Sequence, residues 1–229
     1  MEEKKNVDFS TILASSVHDM KNSVGMLIAS LETLMETQTP KSEDEKKQFQ
    51  TLHYEASRIN GELIQLLTLY RNDKGFLPVN VDEQFVVDVL EDQIARNQLL
   101  LDTSDLNVVL DCDDELNWYF DADLVGGVIH NILVNCIRYT RSRILVKATE
   151  QDGYLCISIA DDGPGYPEDM LLAPSQRVNE AQVSEGATHL GLFFAEEIAS
   201  LHRQGERKGK IELTNSGALG AGEFRLFLP

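Results

Sequence analysis

Two runs of apolar residues at alternating spacings of three and four constrain the first 72 residues of this 229-residue chain more than any other feature. Such heptads predict amphipathic helices, and the break around Pro40 places a turn between two of them. Ser42, followed by Asp44 and Glu45, is typical of the start of the second helix. Because two helices alone bury one seam poorly, we expect an antiparallel hairpin that pairs with a second copy in a dimeric four-helix bundle. The first run comprises Leu13, Val17, Met20, Val24, Leu27, Leu31 and Leu34, and the second comprises Phe49, Leu52, Ala56, Ile59, Leu63, Leu66 and Tyr70.

The remainder of the chain mixes helix and strand signals. We expect a helical hairpin over residues 1–72, a linker over 73–79, and an α+β sandwich over 80–229 in which helices pack against a mostly antiparallel sheet. The expected helices of the sandwich cover 82–98, 121–139 and 190–202, and the expected strands cover 108–112, 118–120, 144–149, 154–160, 211–214 and 224–228.

Charge and hydropathy exclude several classes of function. The formal net charge is −18, and most of it lies after residue 72, which disfavours nucleic-acid binding. Apolar stretches are shorter than the roughly 20 residues that span a bilayer. The charged start lacks the apolar segment of a secretory signal. We therefore expect a cytoplasmic protein that does not insert into a membrane. A nucleotide site in the acidic part would need a divalent cation and nearby arginines.

His18 lies one step away from the apolar seam of the first predicted helix, and so on its solvent side. Asp19 next to it could accept the Nδ1 proton and leave Nε2 as a nucleophile. Asn22, one turn later on nearly the same face, could orient a water molecule. Taken alone, these residues are better interpreted as a solvated surface patch, and only a second site elsewhere in the chain favours a catalytic role.

The predicted helix 121–139 carries polar side chains suited to phosphate and metal binding. Asn131 and Asn135 are four residues apart and share one face, and Arg138 and Tyr139 continue around the same end. A side-chain amide oxygen can ligate hydrated Mg²⁺, and an arginine can compensate phosphate charge.

A second group of residues fits a purine and its phosphates. Asp161 ends an apolar strand, where its carboxylate could accept a hydrogen bond from an adenine amino group. Gly163 and Gly165 allow the backbone to approach the ring closely. Segment 186–192 combines a flexible stretch with a helix start whose N–H groups can meet phosphate. Each feature alone is weak, and Asp-Asp-Gly-Pro-Gly is commonly a tight turn, but their order and spacing together indicate a nucleotide site.

With these motifs, the chain resembles the catalytic core of a sensor histidine kinase of two-component signalling. Such a core joins a dimerisation and phosphotransfer hairpin to a GHKL-type ATPase domain. Segment 18–22 is similar to the phosphoacceptor H-box, 121–140 to the N-box, 161–165 to the G1 box and 190–192 to the G2 box. The resemblance covers about residues 8–229.

The resemblance implies a role for each matching residue. His18 would be phosphorylated on a ring nitrogen, Asp19 would be its general base, and Asn22 would support phosphatase activity. In the nucleotide site, Asn135 would ligate Mg²⁺, supported by Asn131. Arg138 and Tyr139 would face the phosphates and the ribose, and Arg177 would contact the γ-phosphate. Asp161, Gly163 and Gly165 would bind adenine, and the G2 box would consist of Leu190, Gly191 and Leu192.

The resemblance also implies ATP and Mg²⁺ as cofactors, a homodimer, and a response-regulator receiver domain as the phosphoryl acceptor. Because the hairpin lies at the start of the chain, we expect the signal to come from a separate sensory protein acting in trans.

Four departures from the family pattern stand out. Ser23 stands where the family often has proline, Gly126 and Gly127 interrupt the N-box helix, and His189 replaces a G2 glycine. Segment 171–177 occupies the F-box place without its phenylalanines. These changes leave open a non-catalytic phosphotransfer or scaffold module with a degenerate ATPase-like domain. A hydrolytic ATPase related to chaperones or repair proteins is disfavoured, because it needs a glutamate where Asn131 stands.

Overall fold

The computed structural model describes residues 9–37, 42–171 and 188–229. Its chain divides into two compact units, Met1–Leu77 and Pro78–Pro229. None of the helices in the described ranges is both long and apolar enough to span a membrane.

The N-terminal unit is the expected helical hairpin. Helix α1 covers Phe9–Thr37 and helix α2 covers Glu43–Asp73. Ser42 caps α2 as predicted, because its side chain accepts a hydrogen bond from the Glu45 backbone N–H at 3.2 Å. Val17 and Leu31 of α1 are buried, and Ala56 and Leu67 of α2 are buried as well. Pro40 lies outside the described residues.

Along the described part of each heptad run, buried or half-buried positions alternate with exposed positions within one hairpin. Met20, Leu27 and Leu34 are spaced by seven residues on α1 and are exposed, although Val17 and Leu31 of the same run are buried. Helix α2 shows the same division, with its own exposed series at the same spacing. This second series comprises Leu52, Ile59 and Leu66. Each helix therefore has one apolar stripe inside the hairpin and one that faces away from it.

The C-terminal unit is an α/β sandwich, as the sequence predicts. Its elements in chain order are β1 Asp82–Phe85, α3 Val86–Arg96, α4 Gln98–Thr103, β2 Asn107–Asp111, β3 Asn117–Phe120, α5 Ala122–Tyr139, β4 Arg143–Gln151, β5 Tyr154–Asp161, a 3₁₀ turn Glu168–Leu171, α6 Thr188–Leu201, β6 Arg203–Gln204, β7 Arg207–Lys208, β8 Lys210–Thr214 and β9 Glu223–Leu228.

Five strands form the main sheet in the order β2-β4-β5-β9-β8. The β2–β4 pair is parallel and the other pairs are antiparallel. Helix α5 packs against α3 and α6, and α6 packs against β8 and β9. Phe120, Phe194, Phe224, Ile129 and Ile159 are fully buried in this core. Each such side chain contributes about 1.5–3 kcal/mol to stability relative to an exposed position.

The helix expected over 82–98 is wrong at both ends. Residues 82–85 form strand β1, which pairs antiparallel with β3 in a small separate sheet. Helix α3 ends at Arg96, where the buried Asn97 donates a hydrogen bond to the Gln93 carbonyl at 2.7 Å. The short helix α4, which was not expected, follows directly. Strand pairing is a tertiary effect, so local periodicity did not reveal β1, whereas the Asn97 bond is local and reaches back only four residues.

The two glycines of the N-box helix lie where α5 meets its neighbours. A Cβ at Gly126 would come within 3.0 Å of Gln93 Nε2, so a side chain there would force Gln93 to move. At Gly127 a Cβ would lie 3.7 Å from Phe194 Cζ, an ordinary contact. The close approach of α3 therefore explains why a glycine stands at position 126. At position 127 there is room for a side chain, so the available space does not explain that glycine.

Candidate functional site

A cavity of about 380 Å³ opens between α5, the end of β5 and the start of α6. Of the residues predicted to bind nucleotide, Asn135, Tyr139, Asp161, Gly165 and Leu192 line it. These five come from three segments separated by more than twenty residues of chain. The tertiary structure therefore brings the N-box, G1 and G2 segments to one concave surface, as a nucleotide site requires.

Asp161 is the buried acidic group of the cavity. It ends β5, whose residues from Leu155 onward are all buried, so the strand carries its carboxylate into the interior. Oδ1 accepts a hydrogen bond from the Gly163 N–H at 2.7 Å. Burial raises the pKa of Asp161 above its ordinary value, and the Gly163 hydrogen bond opposes that rise. A carboxylate accepts up to about four hydrogen bonds, so capacity remains for a ligand amino group.

Gly163 lies beside the Asp161 carboxylate, and Gly165 lies in the cavity wall. A Cβ at Gly163 would lie 2.5 Å from the Tyr139 carbonyl oxygen and 2.6 Å from Asp161 Oδ1. Gly165 has φ +81°, in the left-handed region that favours glycine. Both positions therefore require glycine, for space at the first and for backbone conformation at the second.

The polar residues of α5 do not all face the cavity. Asn135 lines it, but the Asn131 amide lies against the backbone of Gly191 at the start of α6. Arg138 is exposed, and its guanidinium lies 5.4 Å from the ring centre of Tyr139. The structure thus separates Asn135, which has a side chain at the cavity, from Asn131, which joins α5 to α6.

The residues of the cavity fit an adenine nucleotide with a magnesium ion. Asp161 is a buried acceptor of the kind that an exocyclic amino group needs, and Gly165 contributes backbone without a side chain to the cavity wall. The amide oxygen of Asn135 is a hard ligand of the kind that Mg²⁺ prefers. Leu192 and Met170 supply apolar surface to the same cavity.

Sequence reasoning missed six cavity residues, which are Ile132, Cys136, Pro164, Tyr166, Pro167 and Met170. Ile132 and Cys136 lie one turn apart on the α5 face that also carries Asn135 and Tyr139, so helical spacing could have revealed them. Tyr166 directly follows the second glycine of the G1 motif, and burial raises the pKa of its phenol far above the ordinary value. No periodic signal marks Met170, which lies in the 3₁₀ turn.

Asp162 anchors the G1 loop from outside the cavity. Its carboxylate accepts hydrogen bonds from the Ser142 hydroxyl at 2.6 Å and from three backbone N–H groups, those of Arg141, Ser142 and Arg143, at 2.9–3.2 Å. The Ser142 hydroxyl and these N–H groups hold the pKa of Asp162 well below its ordinary range. The loop that carries Asp161 is therefore tied to the turn that follows α5.

Replacing Asp162 with asparagine is expected to lower the unfolding midpoint by about 2–4 °C at pH 7, which corresponds to about 1 kcal/mol for a solvent-screened site. Because the folded state lowers the carboxyl pKa, this stabilisation is complete above the unfolded pKa of about 4 and is lost as the pH falls through the folded value. The midpoints of the two proteins should therefore begin to converge below about pH 4 and meet only when the pH has fallen through the lowered folded pKa.

Thermal unfolding followed by circular dichroism at several pH values measures this difference. Asp114→Asn, at an exposed aspartate in the turn before β3, is the matched control and should stay close to wild type. A difference between Asp162→Asn and wild type that is constant over the pH range would contradict the assignment.

In the helical unit, His18 is exposed, with 51% of its side chain accessible, and Asp19 is more exposed still. Within the described part of the chain, the polar contacts of the imidazole are to Nδ1. Asp19 Oδ1 lies 3.6 Å from it and Asn22 Nδ2 lies 3.4 Å from it. Helix α1 continues through Ser23, whose hydroxyl donates to the Asp19 carbonyl at 3.0 Å. The three candidate residues are therefore close together, and both distances are measured to Nδ1 of the ring.

Several predicted features lie outside the described residues. They are Arg177, the rest of segment 172–177, and the flexible stretch 186–187. Leu190, Gly191 and Leu192 lie in the first turn of α6, but the side chain of His189 is not described.

The cavity lies in the α/β sandwich that follows the helical hairpin along the chain. Residues 120–229 match the family "Histidine kinase-, DNA gyrase B-, and HSP90-like ATPase". This match covers most of the C-terminal unit, and the chain is similar to histidine kinases in sequence and in fold.

Among curated proteins, the chain is 25% identical over 194 residues to the sensor histidine kinase CssS of Bacillus subtilis. The aligned region covers 84% of this chain and 42% of CssS. The chain is 22% identical over 196 residues to the sensor protein SrrB of Staphylococcus aureus, covering 83% of this chain and 34% of that protein. The chain thus spans less than half the length of these relatives.

Solved structures show the same fold. The histidine kinase AdeS of Acinetobacter baumannii has a TM-score of 0.58 at 18% identity and covers 92% of this chain and 96% of its own. The catalytic domain of the histidine kinase ThkA has a TM-score of 0.53 at 18% identity and covers 66% of this chain and 95% of its own.

Proposed function

We propose that this protein is a histidine kinase that uses ATP to phosphorylate His18 and then passes the phosphoryl group to an aspartate of a response-regulator receiver domain. The observation that carries the proposal is the cavity in which Asn135, Asp161, Gly165 and Leu192 meet. A homodimer and a separate sensory protein are further partners that the proposal implies.

The cavity residues bind and orient the nucleotide. Asp161 accepts a hydrogen bond from the adenine amino group, and Gly163 and Gly165 admit the ring to the backbone. Asn135 holds Mg²⁺, which neutralises triphosphate charge when bound. Arg138, exposed at the end of α5, is available to phosphate oxygens, and Tyr139 to ribose. Arg177 is proposed to contact the γ-phosphate.

His18 acts as the nucleophile. Its Nε2 lone pair forms a bond to the γ-phosphorus while the bond between that phosphorus and the β,γ-bridging oxygen breaks, which releases ADP. Asp19 takes up the proton of Nδ1, so the phosphorylated ring is neutral. The 3.6 Å separation between Asp19 Oδ1 and His18 Nδ1 is longer than a hydrogen bond, as is common for catalytic groups before substrate binds.

Asn22 is proposed to support phosphatase activity, by orienting a water molecule that hydrolyses the phosphoryl group of a receiver domain. Its side-chain nitrogen lies 3.4 Å from His18 Nδ1, so the amide is close to the ring at which a phosphoryl group is exchanged. The same surface of α1 would then support both kinase and phosphatase activity.

The exposed apolar stripes of the hairpin support a homodimer. Leu27 is 52% exposed and Ile59 is 41% exposed, and both belong to series that repeat every seven residues. A second hairpin would cover both stripes and complete a four-helix bundle.

Replacing both Leu27 and Ile59 with lysine is therefore expected to convert a dimer into single chains. Each apolar side chain contributes about 1.5–3 kcal/mol when covered, and a lysine in its place would be buried at a cost. Size-exclusion chromatography with light scattering measures the mass. Thr33→Lys, at an exposed polar position of α1, is the control and should stay dimeric. Wild-type protein with the mass of one chain would refute the homodimer.

The proposed activity is tested by incubating purified protein with γ-labelled ATP and Mg²⁺. We expect label on the protein that is lost in acid and retained in base, as the N–P bond of phosphohistidine requires. Binding of ATP without any label would favour the phosphotransfer or scaffold module, and absence of both would overturn the nucleotide site.

A further inference from the structure

The connection between β8 and β9 holds the G1 loop in a way that no sequence motif indicated. Asn215 directly follows β8 and is 49 residues from Tyr166. Its Oδ1 accepts a hydrogen bond from the Tyr166 N–H at 2.7 Å, and its Nδ2 donates to the Tyr166 carbonyl at 2.8 Å. One carboxamide thus satisfies both backbone groups of a single loop residue, as a neighbouring strand would.

The clamped residue belongs to the wall of the cavity. Tyr166 and Gly165 both line it. A Cβ at Gly165 would lie 2.7 Å from Asn215 Oδ1, so the glycine lets the carboxamide approach the loop. The same connection reaches the loop a second time, because the Asp161 N–H donates to the Gly222 carbonyl at 3.0 Å.

The two ends of the G1 loop are therefore held by different parts of the fold. Asp162 ties its first part to the turn after α5, and Asn215 ties its later part to the β8–β9 connection. Between these anchors lie the glycines that admit the ring. Without the Asn215 bonds, the Tyr166 backbone groups lose their partners and Gly165, free of a side chain, gains conformational freedom.

We propose that Asn215 is a positioning residue for nucleotide binding, which holds Gly165 and Tyr166 so that the adenine side of the cavity is formed before the ligand arrives. This inference rests on the proposed ATP site. It implies that loss of Asn215 weakens binding of the adenine moiety, whatever phosphates are attached, because the bonds act on the wall of the ring pocket.

The test compares wild type with Asn215→Ala in three measurements. Hydrogen exchange of the Tyr166 amide in nucleotide-free protein should become about tenfold faster or more, because its acceptor is gone. The dissociation constants of ATP and of adenosine should both rise about tenfold. The unfolding midpoint without nucleotide should change little, which separates positioning from a general loss of structure.

Two further variants sharpen the test. Asn215→Asp keeps the acceptor for the Tyr166 N–H but loses the donor, so its adenosine affinity should lie between wild type and Asn215→Ala. Ser216→Ala, in the same turn, is the matched control and should leave exchange and affinity unchanged.

The outcomes separate the two proposals. Wild-type protein that binds neither ATP nor adenosine contradicts the proposed function, and the clamp is then judged by amide exchange alone. Wild-type binding with unchanged exchange and unchanged affinities in Asn215→Ala overturns the positioning role. Weakened binding of ATP with unchanged binding of adenosine also overturns it, because the effect would then lie on the phosphate side.

Discussion

Replacing His18 with alanine is expected to reduce transfer of label from γ-labelled ATP to the protein at least about a thousandfold, because the variant lacks the nucleophile. His18 is exposed on α1, and its removal leaves the buried stripe of Val17 and Leu31 intact. The hairpin should therefore fold normally. None of the cavity residues belongs to the helical unit, so the dissociation constant for ATP should be unchanged.

Two comparisons make the His18 result specific. Asp19→Asn removes the proposed base and keeps the nucleophile, so labelling should fall by about a hundredfold and remain detectable. Asn22→Ala should keep autophosphorylation and lose dephosphorylation of a receiver domain. Equal labelling of His18→Ala and wild type would show that another residue is phosphorylated.

Replacing Asp161 with asparagine is expected to raise the dissociation constant for ATP at least about a hundredfold. The amide oxygen can keep the hydrogen bond from the Gly163 N–H, which measures 2.7 Å in the wild type. The amide nitrogen, however, is a donor where the adenine amino group also presents a donor. A buried donor that faces another donor is left without a partner, and its desolvation is not compensated. Isothermal titration calorimetry with ATP and Mg²⁺ measures the loss.

Asp162→Asn is the matched control for Asp161→Asn, since it makes the same change one residue later. Asp162 lies outside the cavity and bonds the 141–143 turn, so ATP affinity should change by less than about fivefold even though stability falls. Similar losses of affinity in the two variants would indicate that negative charge near the cavity matters, and that a specific acceptor for adenine does not.

Most of the elements could be predicted, because most of them depend on short-range patterns. The heptads define α1 and α2, and Ser42 marks the start of α2. Asp121 likewise caps α5 through the Leu124 N–H at 2.9 Å. Strand β5 is recognisable as an apolar run that ends in Asp161. These signals act within a few residues of chain, and tertiary contacts strengthen them without reversing them.

The sequence could not predict which residues of a motif line the cavity and which contact another element of the fold. Asn131 and Asn135 have the same spacing signal, but only the tertiary structure shows that Gly191 lies against Asn131 and that Asn135 faces the cavity. Residues 82–85 have a helical pattern and form a strand, because β3 is available to pair with them. The proposed roles of these site residues stay predictions until binding and labelling are measured.

The sequence by itself determined most of the helices and strands, which residue types could bind nucleotide, and that His18 lies beside the apolar seam. Only the tertiary structure decided which apolar stripe of each helix stays exposed, which side chains reach the cavity, and that Asn215 clamps Tyr166 from 49 residues away. The physical reason is the distance along the chain over which each interaction acts. Periodicity and capping are set by neighbours along the chain, but the approach of distant segments depends on how the whole sheet pairs and what the helices bury against it.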